Sequence, residues 1–303
     1  MNAAISYKSG FVAVMGRPNV GKSTLVNALL GQKVAAVSPR PQTTRKHQLG
    51  ILTLENAQII FVDTPGVHRP RHKLGERMNE EAQDALEHSE LILFLVDASQ
   101  PPSDDDRLLA SRITSLRFAV KTILVLNKID LLPYSSIEME IAERKAVFHA
   151  LLPQADVFAI SATRGDNREA LLAAMIEWLP EGEPLYPEEQ VTDFFERDIA
   201  GELIREAALL LLREEIPHGI AVRVDEFTER GETGAFISAT VIVERESHKP
   251  IVIGQGGSML KKIGSAARKE IETMSGRKVF LELRVKVRKN WREDEQAVRQ
   301  LVG

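Results

Sequence analysis

The chain has 303 residues, of which 44% are hydrophobic and 5% aromatic, and it contains no cysteine. This length favours two domains, and this composition favours packed aliphatic cores over disorder. The lack of cysteine excludes a disulfide scaffold, an iron–sulfur cluster, a thiolate zinc site and a cysteine nucleophile. Apolar runs such as Leu91–Val96 and Ala207–Leu212 are far shorter than the roughly 20 residues of a membrane-spanning helix. Residues 1–10 show no targeting pattern, so a soluble cytoplasmic protein is expected.

Charge is distributed unevenly along the chain. The net charge is −4, yet residues 245–289 contain twelve Lys or Arg against four Glu, a local balance of +8 that leaves −12 for the rest. A basic C-terminal segment on an acidic body indicates that this segment meets a polyanion.

Residues 11–179 alternate short apolar runs with helical patterns. The apolar runs predict the strands Phe11–Met15, Leu49–Leu54, Ile59–Val62, Leu91–Val96, Thr122–Leu126 and Val157–Ile160. Helical patterns lie near Lys22–Leu30, Leu74–Glu87, Asp104–Leu116, Ile137–Leu151 and Arg168–Leu179. This alternation predicts a doubly wound α/β domain with a mostly parallel sheet.

A second domain follows an interruption of this pattern. Residues 180–189 hold three prolines among four glutamates, which predicts a linker that buries little surface. Beyond it, the pattern predicts an α+β order with helices over Asp193–Arg213 and Met259–Met274, the latter capped by Ser258, and strands over Ile220–Glu226, Ala235–Glu244 and Val279–Val287.

The segment Gly16–Ser23 has the P-loop pattern of a glycine, four residues and then Gly-Lys-Ser. Its glycines let backbone N–H groups wrap phosphates, and the following helix adds its positive end. In this pattern Lys22 reaches the β- and γ-phosphates and Ser23 ligates magnesium. A glycine-rich turn can match by chance, but a strand before it and a helix after it are the context that a P-loop requires.

The segment Asp63-Thr64-Pro65-Gly66 follows the strand Ile59–Val62. A carboxylate there can hold magnesium, usually through water, and Gly66 can bring its backbone N–H close to a γ-phosphate. Alone, this tetrapeptide is an ordinary turn. Its place at the end of the strand that follows the P-loop unit favours the phosphate role.

Asn127-Lys128-Ile129-Asp130 and Ser161-Ala162 each close a predicted strand. Asp130 can accept hydrogen bonds from N1–H and the exocyclic amine of guanine, a donor pair that adenine lacks. Lys128 would lay its stem over the base, Asn127 would tie the segments together, and a backbone N–H of Ser161-Ala162 would donate to guanine O6. Because ligands bind at this edge of open α/β sheets, the motifs together predict a guanine nucleotide site.

In these motifs the first domain resembles the small G domains of the P-loop GTPases. The resemblance implies a switch threonine within Pro41–Arg45, with Thr44 assigned as the second magnesium ligand and Thr43 as the alternative. Val67 stands where Ras-like proteins carry a water-orienting glutamine, so slow hydrolysis is expected. In relatives with this substitution, an asparagine at the position of Asn19 helps to hold potassium. A turn-stabilising role is the alternative for Asn19.

The nucleotide site is therefore expected to draw on several segments. The expected nucleotide-binding residues are Gly16, Arg17, Pro18, Asn19, Val20, Gly21, Lys22, Ser23, Thr24, Asp63, Thr64, Pro65, Gly66, Asn127, Lys128, Asp130, Ser161 and Ala162. Catalysis is expected from Asn19, Lys22, Thr44 and Gly66, and magnesium binding from Ser23, Thr44 and Asp63.

In the second domain, residues 253–257 contain Gly-x-x-Gly ahead of a basic helix. The element order resembles the type II KH module, whose loop clamps a nucleic-acid backbone, and it implies a short helix at Pro250–Ile253. The expected RNA-binding residues are Ile253, Gly254, Gln255, Gly256, Gly257, Lys261 and Lys262. A plain α+β domain with a solvated basic face is the alternative; a dinucleotide site is disfavoured because the third glycine and a βαβ unit are lacking. Trp291 would either stack on a base or pack the last helix.

A GTPase domain (residues 1–180), a linker (181–192) and a KH-like domain (193–303) resemble the Era family. The resemblance implies slow hydrolysis of GTP to GDP and phosphate, binding to the 3′ end of small-subunit ribosomal RNA, and assistance in small-subunit maturation. It also implies peripheral association with the inner face of the membrane, and a monomer is expected. The alternatives are a GTPase whose C-terminal domain binds protein or lipid headgroups, and an RNA-binding scaffold with a vestigial G domain. A P-loop kinase is disfavoured because it leaves residues 127–130 unexplained.

Overall fold

The computed structural model describes residues 6–37, 44–45, 48–66, 72–116, 118, 120–231 and 233–302, so Thr43 and Val67 lie outside the described residues. The chain forms two compact units. The first comprises Met1–Lys33, Lys46–Arg69 and Met78–Asp193, and the second comprises Val34–Arg45, Pro70–Arg77 and Phe194–Gly303. Thr44, the predicted switch residue, therefore belongs to the second unit.

The first unit is built on one mixed sheet. Within the described residues its strands are β1 (Lys8–Met15), β2 (Gln48–Thr53), β3 (Ala57–Asp63), β4 (Leu91–Asp97), β5 (Lys121–Asn127) and β6 (Asp156–Ala159). They lie in the order β2-β3-β1-β4-β5-β6, with β2 antiparallel to β3 and every other pair parallel. The predicted mostly parallel sheet is confirmed, and the β2 edge is its antiparallel exception.

Helices cover both faces of this sheet. They are α1 (Lys22–Leu30), α2 (Lys73–Glu87), α3 (Asp104–Thr114), α4 (Ile137–His149) and α5 (Arg168–Trp178). Successive residues of β1 point to opposite faces: Val14 packs in one core with side chains of α1 and α5, and Met15 packs in another with side chains of α2, α3 and α4. Because both faces are buried, the strands are continuously apolar rather than alternating.

The predicted linker is fixed along the first unit. The Ser9 N–H donates to Pro180 O over 3.2 Å, and Ile51 N–H donates to Val191 O over 2.7 Å. The carboxamide of Gln58, fully buried in β3, accepts from the N–H groups of Leu185 and Tyr186 and donates to Tyr186 O. Apart from Tyr186, residues 180–189 are exposed, so the expectation that this stretch buries little is confirmed, although its backbone groups find partners on the strands beside it.

The second unit packs helices on one face of a smaller sheet. Its elements are α6 (Glu196–Leu211), β7 (Ala221–Arg230), β8 (Gly234–Val243), α7 (His248–Ile253), α8 (Ser258–Ser275), β9 (Lys278–Val287) and α9 (Glu295–Leu301). The strands lie in the order β7-β8-β9, with β7 antiparallel and β9 parallel to β8. The predicted order is confirmed, including the short helix that the KH resemblance implied.

One local prediction in the second unit needs correction, and one pair of alternatives is decided. Ser258 is the first helical residue of α8, and Gly257, in the left-handed region with φ 81°, is the N-cap. Trp291 is fully buried and its Nε1 donates to Gly219 O over 3.0 Å, so it packs in the core and presents no face to a base. No helix in the described part of the chain is long and apolar enough to cross a membrane.

Candidate nucleotide site and nucleic-acid interface

The loop between β1 and α1 holds its glycines in places that admit no side chain. A Cβ on Gly16 would lie 2.5 Å from Leu95 O. A Cβ on Gly21, whose φ is 102°, would lie 2.4 Å from Asn127 Nδ2. The loop is therefore fitted closely against β4 and β5 and leaves its backbone to face a ligand, as the P-loop pattern predicts.

Lys22, at the start of α1, is buried with 6% of its surface exposed. Its Nζ donates to Gly16 O over 3.0 Å and to Arg17 O over 3.3 Å, so it lies folded inside the loop. Burial lowers the pKa of Lys22 from 10.5 to about 8, and nearby Asp63 opposes this shift only in part. An anion in the loop would favour the charged form of this amine.

Ser23 and Asp63 meet at the carboxyl edge of β1 and β3. The Ser23 Oγ donates to Asp63 Oδ2 over 2.6 Å, and Asp63 is 1% exposed. A hydroxyl and a carboxylate in this pairing are the oxygen ligands that magnesium prefers. The described residues contain no group of three or more His, Cys, Asp or Glu arranged for a metal, so the remaining ligands would be phosphate oxygens and water. The donor set therefore fits magnesium held with a nucleotide.

The segment after Asp63 lies against the P-loop. The Thr64 hydroxyl is buried and donates to Val14 O over 2.8 Å. A Cβ on Gly66 would lie 2.7 Å from Pro18 N, so only glycine fits this approach. The structure thus places the Gly66 backbone beside the phosphate loop, where the prediction needs it.

Asn127 joins two of the predicted motifs. It is 2% exposed; its Nδ2 donates to Val20 O over 2.8 Å, and its Oδ1 accepts from the Ala162 N–H over 3.0 Å. The carboxamide thereby ties the P-loop to the segment after β6. This is the bridging role that the sequence predicts for it.

Lys128 is held by a carboxylate that sequence reasoning missed. Its Nζ donates to Asp97 Oδ2 over 2.7 Å. Burial raises the pKa of Asp97, but hydrogen bonds from Lys128 and from Ser99 outweigh it, and the net pKa lies below the usual value. Asp97 ends β4, directly after the apolar run Leu91–Val96, and this position at the sheet edge was the available signal.

A second missed carboxylate acts on the P-loop. Asp106 is fully buried, forms a capping box with Ser103 at the start of α3, and lies 3.4 Å from Arg17 Nε. The Arg17 Nη2 lies 3.9 Å from Asp97 Oδ2 and donates to Gln100 over 3.3 Å. Two acidic side chains therefore hold the phosphate loop and the base-recognition loop at one edge of the sheet.

Asp130 lies in a 3₁₀ turn, Ile129–Leu131, after β5. Its Oδ1 accepts from Ser161 Oγ over 2.7 Å, which brings the two predicted base-contacting motifs together. The Ser161 N–H donates to Asp166 O, and the Ala162 N–H donates to Asn127. Both N–H groups predicted for guanine O6 thus have protein partners, so a guanine there would share or replace one of these bonds.

Two predicted residues are not settled by this geometry. Thr44 is half-buried and belongs to the second unit, whereas Ser23 and Asp63 belong to the first. Asn19 adopts a left-handed conformation with φ 66°, which asparagine tolerates well and which suits a turn. The magnesium role of Thr44 and the potassium role of Asn19 stay predictions.

In the second unit, the Gly-x-x-Gly loop joins α7 to α8. Gly254, Gly256 and Gly257 have φ of 73°, 58° and 81°. A Cβ on Gly254 would lie 2.6 Å from Met259 N, whereas Gly256 and Gly257 face open space. Lys261 and Lys262 are exposed on the first turns of α8. The loop is thus open to a backbone phosphate next to positive charge.

A phosphate-wrapping loop, an oxygen pair suited to magnesium and a carboxylate placed for guanine define the first unit as a P-loop GTPase domain. Residues 11–128 match the family model described as 50S ribosome-binding GTPase, and residues 215–292 match the KH domain model. The tandem order of these two modules identifies the chain as a GTPase with a C-terminal KH domain.

Similarity to individual proteins extends over almost the whole chain. The chain is 46% identical over 297 residues to GTPase Era of Halothermothrix orenii, covering 98% of this chain and 99% of that one. It is 44% identical over 296 residues to GTPase Era of Clostridium botulinum, covering 97% and 98%. The chain belongs to the Era family of GTPases.

Solved structures agree with this assignment. A structure of Era in complex with MgGDPNP and nucleotides 1506–1542 of 16S ribosomal RNA superposes with a TM-score of 0.91 at 42% identity, covering 98% of this chain and 99% of that one. An Aquifex aeolicus Era variant bound to GDP.AlF4- gives 0.90 at 42% identity, covering 97% and 99%. The Ras-like fold and the C-terminal KH fold are thereby shown.

Proposed function

We propose that this chain is a GTP-hydrolysing molecular switch that binds the 3′ end of small-subunit ribosomal RNA and assists maturation of the small ribosomal subunit. The proposal rests on one observation. The chain holds both a guanine nucleotide site and an open Gly-x-x-Gly loop, and it matches nearly the full length of an Era that was solved with MgGDPNP and a 16S ribosomal RNA segment.

In the first unit, each side chain has a distinct proposed role. The P-loop backbone and Lys22 bind the phosphates, and the charged form of Lys22 is stabilised by them. Asp130 accepts from the N1–H and amine of guanine, while Asp97 positions Lys128 along the base. Asn127 fixes the P-loop relative to the segment around Ala162, so the phosphate-binding and base-binding loops are positioned together.

The Ser23–Asp63 pair would hold magnesium, with Thr44 as the proposed second hydroxyl ligand. Magnesium, when bound, neutralises charge on the β- and γ-phosphate oxygens. Gly66 brings its backbone N–H to the γ-phosphate side of the loop because its lack of a side chain allows contact with Pro18. Loss of the γ-phosphate after hydrolysis would release Thr44 and Gly66 from their contacts with that phosphate. This release would be the conformational switch.

Hydrolysis is proposed to be slow without further help. Asn19 is the proposed ligand of a potassium ion that would supply positive charge beside the phosphates, as the resemblance implies. Rates with potassium and with sodium at equal ionic strength would test this, and an equal rate in both would contradict it.

The remaining proposals concern organisation and location. We propose a GTPase domain over residues 1–180, a connecting segment over 181–192 and an RNA-binding domain over 193–303. We also propose a monomer that acts in the cytoplasm and associates peripherally with the inner face of the membrane. Sedimentation with anionic and with neutral vesicles would test the last of these.

RNA binding and hydrolysis can be measured on one preparation of the full chain. We expect GTP turnover that Lys22→Ala abolishes, and tighter binding to a single-stranded 3′-end RNA than to a duplex of equal charge. Equal affinity for both RNAs with a steep salt dependence would point to a non-specific polyanion surface. No turnover under any salt would point to the scaffold alternative.

A further inference from the structure

The arginine next to the predicted switch threonine is buried in the second unit. Arg45 is only 5% exposed, although the sequence around it is polar. One guanidinium nitrogen donates to Ile220 O over 2.7 Å and the other to His218 O over 3.2 Å. The guanidinium carbon lies 5.4 Å from the centre of the Trp291 ring.

These three partners form a built site, which we call the carbonyl socket: His218 O, Ile220 O and the Trp291 ring. The two carbonyls come from the turn Ile216–Gly219 and the residue that follows it. The carbonyl between them, of Gly219, accepts from Trp291 Nε1, so the ring is locked beside the other two. The planar guanidinium group of an arginine can donate to both carbonyls and stack on the ring, whereas the compact ammonium group of a lysine cannot do both.

The carbonyl socket stabilises the charge of Arg45 through two carbonyl dipoles and an aromatic ring, and not through a directly bonded carboxylate of the described residues. Within the described residues, the guanidinium donates to backbone oxygens, and its buried Nε has no hydrogen-bond partner among them. Burying a guanidinium costs desolvation energy, so its placement depends on keeping these contacts and responds when its surroundings change.

The flanks of the switch segment have further partners in the same unit. The Val37 N–H donates to Glu206 Oε2 over 3.1 Å. The described residues on both sides of positions 38–43 are therefore held by groups of the RNA-binding unit.

We propose that Arg45 is a positioning residue that links the RNA-binding unit to the predicted magnesium ligand Thr44. The Cα atoms of adjacent residues lie about 3.8 Å apart, so seating Arg45 restricts where the Thr44 hydroxyl can go. A change in the socket that RNA brings about then reaches the nucleotide site, and by linkage the reverse also holds. This inference rests on the proposed function and assigns its coupling to one side chain.

The test measures RNA affinity of the full chain with GDP and with a non-hydrolysable GTP analogue. The quantity of interest is the ratio of the two dissociation constants. We expect Arg45→Ala and Arg45→Lys to bring this ratio to within about twofold of one. Arg299→Ala is the matched control, because Arg299 is an exposed arginine of the same unit paired with Glu295, and it should keep the ratio of the parent.

A spectroscopic reading separates positioning from a general loss of structure. The chain has two tryptophans, so Trp178→Phe leaves Trp291 as the sole reporter of the socket. Its emission should change on nucleotide exchange in that background and should not change once Arg45→Lys is added. If the Arg45→Ala variant does not fold, the results for Arg45→Lys alone test the positioning role of Arg45.

The outcomes distinguish this inference from the function it rests on. A parent whose RNA affinity is identical in both nucleotide states would overturn the switch and the inference with it. A parent with a clear ratio that Arg45→Lys retains in full would overturn the inference alone.

Discussion

Asp97 and Lys128 form an ion pair across the edge of the first sheet, with 2.7 Å between Oδ2 and Nζ. Lys128 has a left-handed backbone with φ 68°, and Asp97 is 5% exposed at the end of β4. The pair holds the base-recognition loop in a conformation that few non-glycine residues adopt. Guanine therefore meets a lysine whose position is set before binding.

Replacing Asp97 by Asn keeps its shape and removes its charge. We expect the affinity for GDP to fall about 10-fold, or about 1.4 kcal/mol, because a charge-assisted bond to Lys128 becomes a neutral one. Fluorescent-GDP titration measures this. Asp156→Asn is the control, since its pairing with Lys121 is exposed and should contribute little. Equal losses in both variants would contradict the positioning role of Asp97.

Replacing Asp130 by Asn should shift the base preference from guanine toward xanthine. The amide presents a donor to the C2 oxygen of xanthine, while guanine loses the acceptor for its amine. We expect GTP affinity to fall by about 100-fold or more and xanthosine triphosphate affinity to rise. Asp166→Asn, an exposed carboxylate nearby, should change neither. An unchanged preference for GTP in Asp130→Asn would remove Asp130 from the base site.

Lys22 predicts a pH dependence of nucleotide binding. Its pKa of about 8 in the free protein means that it is mostly neutral at pH 9, and bound phosphates raise that pKa again. Binding should therefore take up about one proton at pH 9 and none through this group at pH 7, so affinity falls as the pH rises through 8. Calorimetry in two buffers of different ionisation enthalpy counts these protons.

Lys22→Arg is the control for that measurement. A guanidinium stays charged in both states, so this variant should bind GDP without proton uptake at pH 9. Uptake that persists in the variant would show that another group is responsible. The same depressed pKa makes a charged Lys22 costly to the free fold below pH 8, and this cost is relieved as the pH rises toward 10.5.

Changing Gln255 and Gly256 to Asp should weaken RNA binding by about 10-fold or more, on the order of 1.4 kcal/mol. The two carboxylates would repel backbone phosphates, and Gly256 faces open space, so no core is disturbed. GTP hydrolysis should survive because the first unit has its own core. Gly231→Asp is the matched control: this glycine has φ 65°, also faces open space and lies in the β7–β8 turn. Undiminished RNA affinity in the double variant would rule out the Gly-x-x-Gly assignment.

The chemistry-bearing segments of the nucleotide site were predictable because they are local. The P-loop glycines, Lys22, Asp63 and Asp130 each follow a strand whose apolar pattern is readable within a few residues, and parallel strands bring their carboxyl ends to one edge. Fixed spacings and strand ends therefore suffice to place them. The Gly-x-x-Gly loop was predictable for the same reason, since the elements on both sides of it are periodic.

What the sequence by itself determined is thus the order of elements and the loops that end them. Only the tertiary structure decided which distant side chains meet. Asp97 lies 31 residues from Lys128, Gln58 lies 128 residues from Tyr186, and Arg45 lies 175 residues from Ile220. Asp97, Gln58 and Arg45 are all buried, and a buried polar group without a hydrogen-bond partner costs about 1–3 kcal/mol. Each of them therefore pairs with the polar group that the fold brings next to it. Such pairing depends on distances in space, which no pattern along the chain contains.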